Sequence, residues 1–97
     1  MFARVITYHG RADRVDAGIR NQREQMLPSG KKMSGFKGAY LLVDRKSGKQ
    51  MTISFWDTEK DMQASLSAMG SLRTQFAEVT GDANPPAVEV FEVAMQP

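Results

Sequence analysis

Residues 51–79, MTISFWDTEKDMQASLSAMGSLRTQFAEV, constrain this chain more than any other stretch. β-branched and aromatic residues dominate MTISFW, with no Gly or Pro, so the run predicts a strand over 51–56. Asp57 and Thr58 end it. Thr58 followed by Asp61 three positions on resembles a capping box with Asp in place of Glu, and Asp57, Glu59 and Asp61 put negative charge where a helix dipole favours it. Beyond the cap, Met62, Leu66, Met69, Leu72, Phe76 and Val79 recur at steps of 4, 3, 3, 4 and 3, one face of a 3.6-residue helix. That face needs a sheet to cover. Gly70 inside the stripe costs about 1 kcal/mol relative to Ala. With Ser71 available as a new cap, the pattern predicts a helix to about residue 69, a kink, and a second segment over 71–79.

The remaining segments complete a repeating order. Residues 2–9, FARVITYH, alternate as Phe2, Arg4, Ile6 and Tyr8 on one face and Ala3, Val5, Thr7 and His9 on the other, as in a strand covered on both sides. A helix is predicted over 11–26 with the stripe Val15, Gly18, Ile19, Gln22 and Met26, and Pro28, Gly30 and Gly35 predict a loop over 27–35. Residues 36–44 form the second strand, 45–49 a polar turn, and 51–56 its antiparallel partner. After a loop over 80–86, residues 87–95 form the last strand. The order β-α-β-β-α-β is the ferredoxin-like α+β arrangement, a four-stranded antiparallel sheet with two helices on one face. At 97 residues it makes a single domain, 1–97.

Both strand faces are apolar, since Ile53 and Phe55 oppose Thr52, Ser54 and Trp56, and Val88 and Val90 oppose Phe91, Val93 and Met95. The face not under the helices is expected to pack on a second copy, giving a homodimer joined sheet to sheet. Composition narrows the function classes further. Without cysteine there are no disulfides, thiolate metal sites or cysteine nucleophiles. No apolar run is long enough for a membrane span and no secretion signal is visible, so the expectation is a cytoplasmic protein with no membrane partner. The net charge of +2 divides into +5 over residues 1–37, +2 over 38–49 and −5 over 50–97, which points to mutual docking of the halves rather than to nucleic acid.

Ser54-Phe55-Trp56-Asp57 running into an amphipathic helix, with Gly35-Phe36-Lys37-Gly38-Ala39 heading the previous strand, resembles the antibiotic biosynthesis monooxygenase family over essentially the whole chain. The resemblance implies a dimeric α+β barrel. It also implies one of several activities, among them cofactor-free oxygenation of polycyclic quinol-type substrates and haem degradation, and fold does not choose between them. The haem-degrading branch uses a His on the second helix and an Asn on the first strand, and neither segment has one here; only Trp56 matches. The expectation is therefore no cofactor.

His9 is the only histidine, so no His-based metal site is possible and no metal is expected. At the end of the first strand it reads either as a loop residue or as a general base. Tyr8 and Tyr40 would donate hydrogen bonds to a quinol or to the backbone, and His9 and Tyr40 are the candidate catalytic residues. Trp56, by parity with Thr52 and Ser54, lies under the helices facing Met69 or Phe76, either as plain core or as an aromatic plate for a flat ligand. Arg73, one position off the stripe, either is solvated or reaches a pocket mouth to hold a phenolate or carboxylate. The candidate ligand-binding set is Trp56, Met69, Phe76, Arg73 and Thr7, in an interior that seven methionines make adaptable. RNA-recognition domains share this element order, but their aromatic signature belongs on the third strand, whereas GFKGAYLLV is the second. The resulting reading is a cofactor-independent monooxygenase for an aromatic quinol-like molecule; the alternative is a non-catalytic dimeric barrel that binds a small hydrophobic metabolite.

Overall fold

In the computed structural model, which describes residues 1–97, four strands form one antiparallel sheet in the order β2-β3-β1-β4: β1 Phe2–His9, β2 Phe36–Val43, β3 Lys49–Trp56 and β4 Ala87–Glu92. Helical segments α1 Val15–Asn21, α2 Leu27–Lys31, α3 Glu59–Ala68 and α4 Gly70–Thr80 lie over one face. The ferredoxin-like order expected from the sequence is the one found. No helix is long and apolar enough to cross a membrane.

The second crossover follows its sequence signals closely. Thr58 caps α3, its Oγ1 accepting from the Asp61 amide at 3.0 Å and donating to Asp61 Oδ2 at 2.9 Å. The helix breaks at Met69, whose φ of −99° and ψ of 12° leave the helical region, and restarts at Gly70. Met62, Met69 and Phe76 of the stripe are buried. Gly81, with φ +81°, closes α4 in the left-handed conformation that glycine adopts without a Cβ penalty.

The first crossover departs from expectation. A 3-10 turn at Ala12–Arg14 opens it, and helix continues through Pro28 and Gly30 to Lys31 where the sequence predicts a loop. The reason is a π-helical turn at Gln22–Met26, in which the Leu27 N–H donates to the Gln22 carbonyl five residues back. The hydrogen-bond register restarts there. Pro28 then stands in the first turn of α2, where its missing N–H costs nothing. Smaller differences are at strand ends: β3 begins at Lys49 rather than Met51, and β4 ends at Glu92 rather than Met95.

In β2 a bulge sets which side chains face inward. Phe36 pairs with Trp56, but the next registered pair is Gly38 with Phe55, so Lys37 is the extra residue and Gly38 takes φ +139°. Phe36 and Ala39, which strict alternation would put on opposite faces, therefore both point toward the helices.

The second apolar face is present. Tyr40 (64% exposed), Leu42 (50%) and Phe91 (51%) stand on it beside half-buried Val5, Met51, Ile53 and Phe55. β4 departs from the expected two-layer picture, because the helices roof β3, β1 and β2 but leave it uncovered. Val88 and Val90, on its helix-side row, are exposed as well.

Candidate functional site

Beneath the helices the inward-facing residues enclose a cavity of about 40 Å³. Arg4 and Ile6 from β1, Thr52, Ser54 and Trp56 from β3, and Phe36 and Ala39 from β2 make its floor. Gln22 and Met26 of the π turn, Leu27 and Gly30 of α2, Met69 at the helix break and Arg73 of α4 make its roof. Both irregularities of the helical layer thus lie on the cavity, as π turns at functional sites commonly do.

Trp56 is fully buried and held from three directions. Its Nε1–H donates to Ser54 Oγ at 2.9 Å, the Phe36 ring meets it edge-on with centroids 5.4 Å apart, and the Arg4 guanidinium lies 5.4 Å from its ring centre. An indole fixed this way is a rigid aromatic wall.

Arg4 is 4% exposed and forms no ion pair. Its Nη1 donates to the Met62 carbonyl at 3.1 Å and to Ser65 Oγ at 2.6 Å, while Nε has no partner in the protein. Burial, reinforced by the nearby charge of Arg73, pushes the Arg4 pKa down to about 10. Arg73 Nη1 is likewise buried and unpartnered, as is Gln22 Oε1. Behind the cavity the Tyr8 hydroxyl and the Gln50 side-chain amide are buried without partners, and burial raises the Tyr8 pKa to about 12. The site is cationic, without a carboxylate among its lining residues.

Of the residues the sequence singles out, Trp56, Met69 and Arg73 come together on the cavity. Phe76 is fully buried but sits in the core behind it, edge-on to Tyr8 at 4.6 Å. Thr7 is displaced from the pocket by strand alternation: it is on the opposite face, paired with Met51 and Ala87. Tyr40 also lies on that face, beside the Phe55 ring at 6.1 Å. His9 is exposed at the end of β1, its backbone N–H donating to Asp82 Oδ2 at 2.9 Å. Neither candidate catalytic residue therefore reaches the cavity. The other ten of the thirteen lining residues lie outside the candidate set, and of these Arg4 and Gln22 carry buried, unpartnered polar atoms. A usable signal existed for Arg4, which shares its parity with Ile6 and Tyr8 and so belongs to the helix-facing row.

No protein-family model matches the chain. Two uncharacterized proteins of Mycobacterium tuberculosis (strain H37Rv) are related in sequence: Rv2557, 36% identical over 94 residues, and Rv2558, 32% identical over 95. These alignments take in 97% and 98% of this chain, which spans 41% and 39% of the relatives' length, about two fifths. Among solved structures, the monooxygenase from the gene ActVA-Orf6 of Streptomyces coelicolor, in complex with the ligand nanaomycin D, superposes with a TM-score of 0.80 at 16% identity, over 99% of this chain and 91% of that one. The chain has the fold of the antibiotic biosynthesis monooxygenases. A second protein with this monooxygenase fold, a putative antibiotic biosynthesis monooxygenase from Nitrosomonas europaea, gives a TM-score of 0.78 at 14% identity, over 98% of this chain and all of that one. Rv0793 from Mycobacterium tuberculosis gives 0.75 at 15% identity, over 98% of this chain and 96% of that one.

Proposed function

We propose that this chain is a cofactor-independent monooxygenase for an aromatic, quinol-like small molecule, working as a homodimer of two such sheets closed into a barrel. The observation that carries the reading is the helix-roofed cavity walled by Trp56 and lined by two guanidiniums with no acid beside them. In this chemistry the deprotonated substrate itself reduces dioxygen; one oxygen atom enters the ring carbon and the other leaves as water. The protein binds the ring, excludes water and stabilises the anion. Trp56 supplies a flat surface for the ring, and Arg4 and Arg73 supply positive charge for the oxyanion.

The cavity as it stands admits groups the size of a few water molecules, far below the roughly 300 Å³ of a typical small-molecule pocket. Ligand access requires the roof to move, and its flexible members suit that role. Gln22, Leu27 and Ala39 line both this cavity and an outer groove of about 210 Å³ beside Ile19, Arg23 and Tyr40, so rotation of Leu27 would join the two. The homodimer reading is supported by the uncovered apolar face carrying Tyr40, Leu42 and Phe91.

Oxygen uptake with a panel of anthrones and hydroquinones tests the proposal. Turnover by the native chain, lost in Trp56→Ala and partly kept in Trp56→Phe, is expected. Saturable binding of the same compounds without oxygen uptake would replace the enzyme with a binding module for a small hydrophobic metabolite.

A further inference from the structure

Two guanidiniums line one small cavity, and nothing in the chain neutralises either. The ion pairs present, Arg11 with Asp13 and Arg45 with Asp16, are exposed and elsewhere. Arg4 spends its hydrogen bonds on neutral oxygens and still has a buried, unpartnered Nε; Arg73 has a buried, unpartnered Nη1. A buried cation without a counter-charge is costly, and a like charge nearby raises the cost further. The missing complement is an anion.

We infer that the inner end of the cavity is a carboxylate site, in which Arg4, assisted by Arg73, receives the carboxylate of a small organic acid whose apolar body lies against Trp56, Met26 and Met69. The identification of this cavity as an anion-holding ligand site is shared with the proposed function; the carboxylate, in place of a ring oxyanion, is the new element. A volume of about 40 Å³ accommodates the carboxylate, and the apolar body enters as the roof at Leu27 moves. The guanidinium fork matches a carboxylate geometrically, and the surrounding Ile6, Leu27 and Phe36 favour an apolar remainder over a sugar or nucleotide.

Trp56 is the only tryptophan, so its fluorescence reports this cavity alone. Titration with benzoate and 2-naphthoate, each against its neutral primary amide and against inorganic phosphate, tests the site without any oxygen chemistry. The expected result is saturable carboxylate binding about tenfold or more tighter than the amide, since charge-assisted hydrogen bonds are roughly twice as strong as neutral ones. Arg4→Met should reduce the acid to the level of the amide, Arg4→Lys should keep part of the difference, and Arg73→Gln should reduce it less than Arg4→Met. Equal binding of acid and amide, undiminished acid binding in folded Arg4→Met, or phosphate binding tighter than benzoate would overturn the assignment. Carboxylate selectivity with no oxygen uptake from any quinol would uphold this site and remove the monooxygenase, so the two fail separately.

Discussion

Arg4 places its guanidinium carbon 5.4 Å from the centre of the Trp56 ring, and the two residues together form the charged and the aromatic wall of one cavity. A cation–π contact of this kind, when desolvated, contributes about 2 kcal/mol, less than the several kcal/mol by which burial penalises an ion. That contact alone therefore does not offset the burial of the Arg4 charge. Arg4→Met leaves the Met62 carbonyl hydrogen-bonded to Ser65 Oγ at 2.7 Å. Urea denaturation is expected to show the variant more stable than the native chain by about 1–2 kcal/mol. A loss of stability would mean that Arg4 is a structural tie.

The wall between the cavity and the outer groove gives a second expectation. Leu27→Ala should open the passage, lowering KM for ring compounds several-fold while leaving the Trp56 surroundings intact, and Leu27→Trp should raise it. The checks are steady-state oxygen uptake and equilibrium titration of each variant. Removing a half-buried Leu side chain also costs about 2 kcal/mol of stability, measurable by thermal melting.

Tyr8 carries a pH signature. Its folded-state pKa is raised from 10.0 to about 12, because burial disfavours the phenolate. Below pH 10 the phenol is neutral folded and unfolded alike and its ionisation leaves stability unchanged; from pH 10 to 12 only the unfolded chain ionises, and stability falls by about 2 kcal/mol. Arg4, with its lowered value of about 10, acts in the opposite sense over the same range, so the comparison is between the native chain and Tyr8→Phe. Between pH 10 and 12 the native chain should lose stability relative to the variant. Near neutrality Tyr8→Phe should be neutral or stabilising by about 1 kcal/mol, since the hydroxyl it removes is buried and unpartnered.

The open sheet face predicts an assembly. A homodimer should run in light scattering at twice 10.8 kDa, and Ile53→Asp, in the middle of that face, should give folded single copies. Phe91→Asp and Leu42→Asp test its two margins.

How much of this was legible in the sequence differs from element to element. The face of Trp56 is legible because β3 pairs with β1 without a register shift, so its parity with Thr52 and Ser54 holds, whereas the bulge at Lys37 breaks parity in β2. The break at Met69–Gly70 was readable because Gly marks it. Helix through Pro28 was not, since the π turn that restarts the register leaves no composition signal and Pro reads as a terminator. The parity of Thr7 points away from the pocket, and a stripe residue such as Phe76 can face either the cavity or the core behind it. Arg4 was overlooked because a charge in a strand suggests solvent, and only its row, shared with Ile6 and Tyr8, shows otherwise. Tyr40 and His9 have suitable chemistry but no positional signal in the sequence, and both lie outside the cavity.

If the helix-roofed cavity is where this chain holds its ligand, a bound ring will be found there. A crystal structure grown anaerobically with a dihydroxyanthracene tests it most directly. The ring system is expected against Trp56, with a hydroxyl oxygen within hydrogen-bond reach of Arg4 or Arg73 and Leu27 rotated out of the wall. A ring bound only on the outer sheet face, with the cavity unchanged at about 40 Å³, would contradict it.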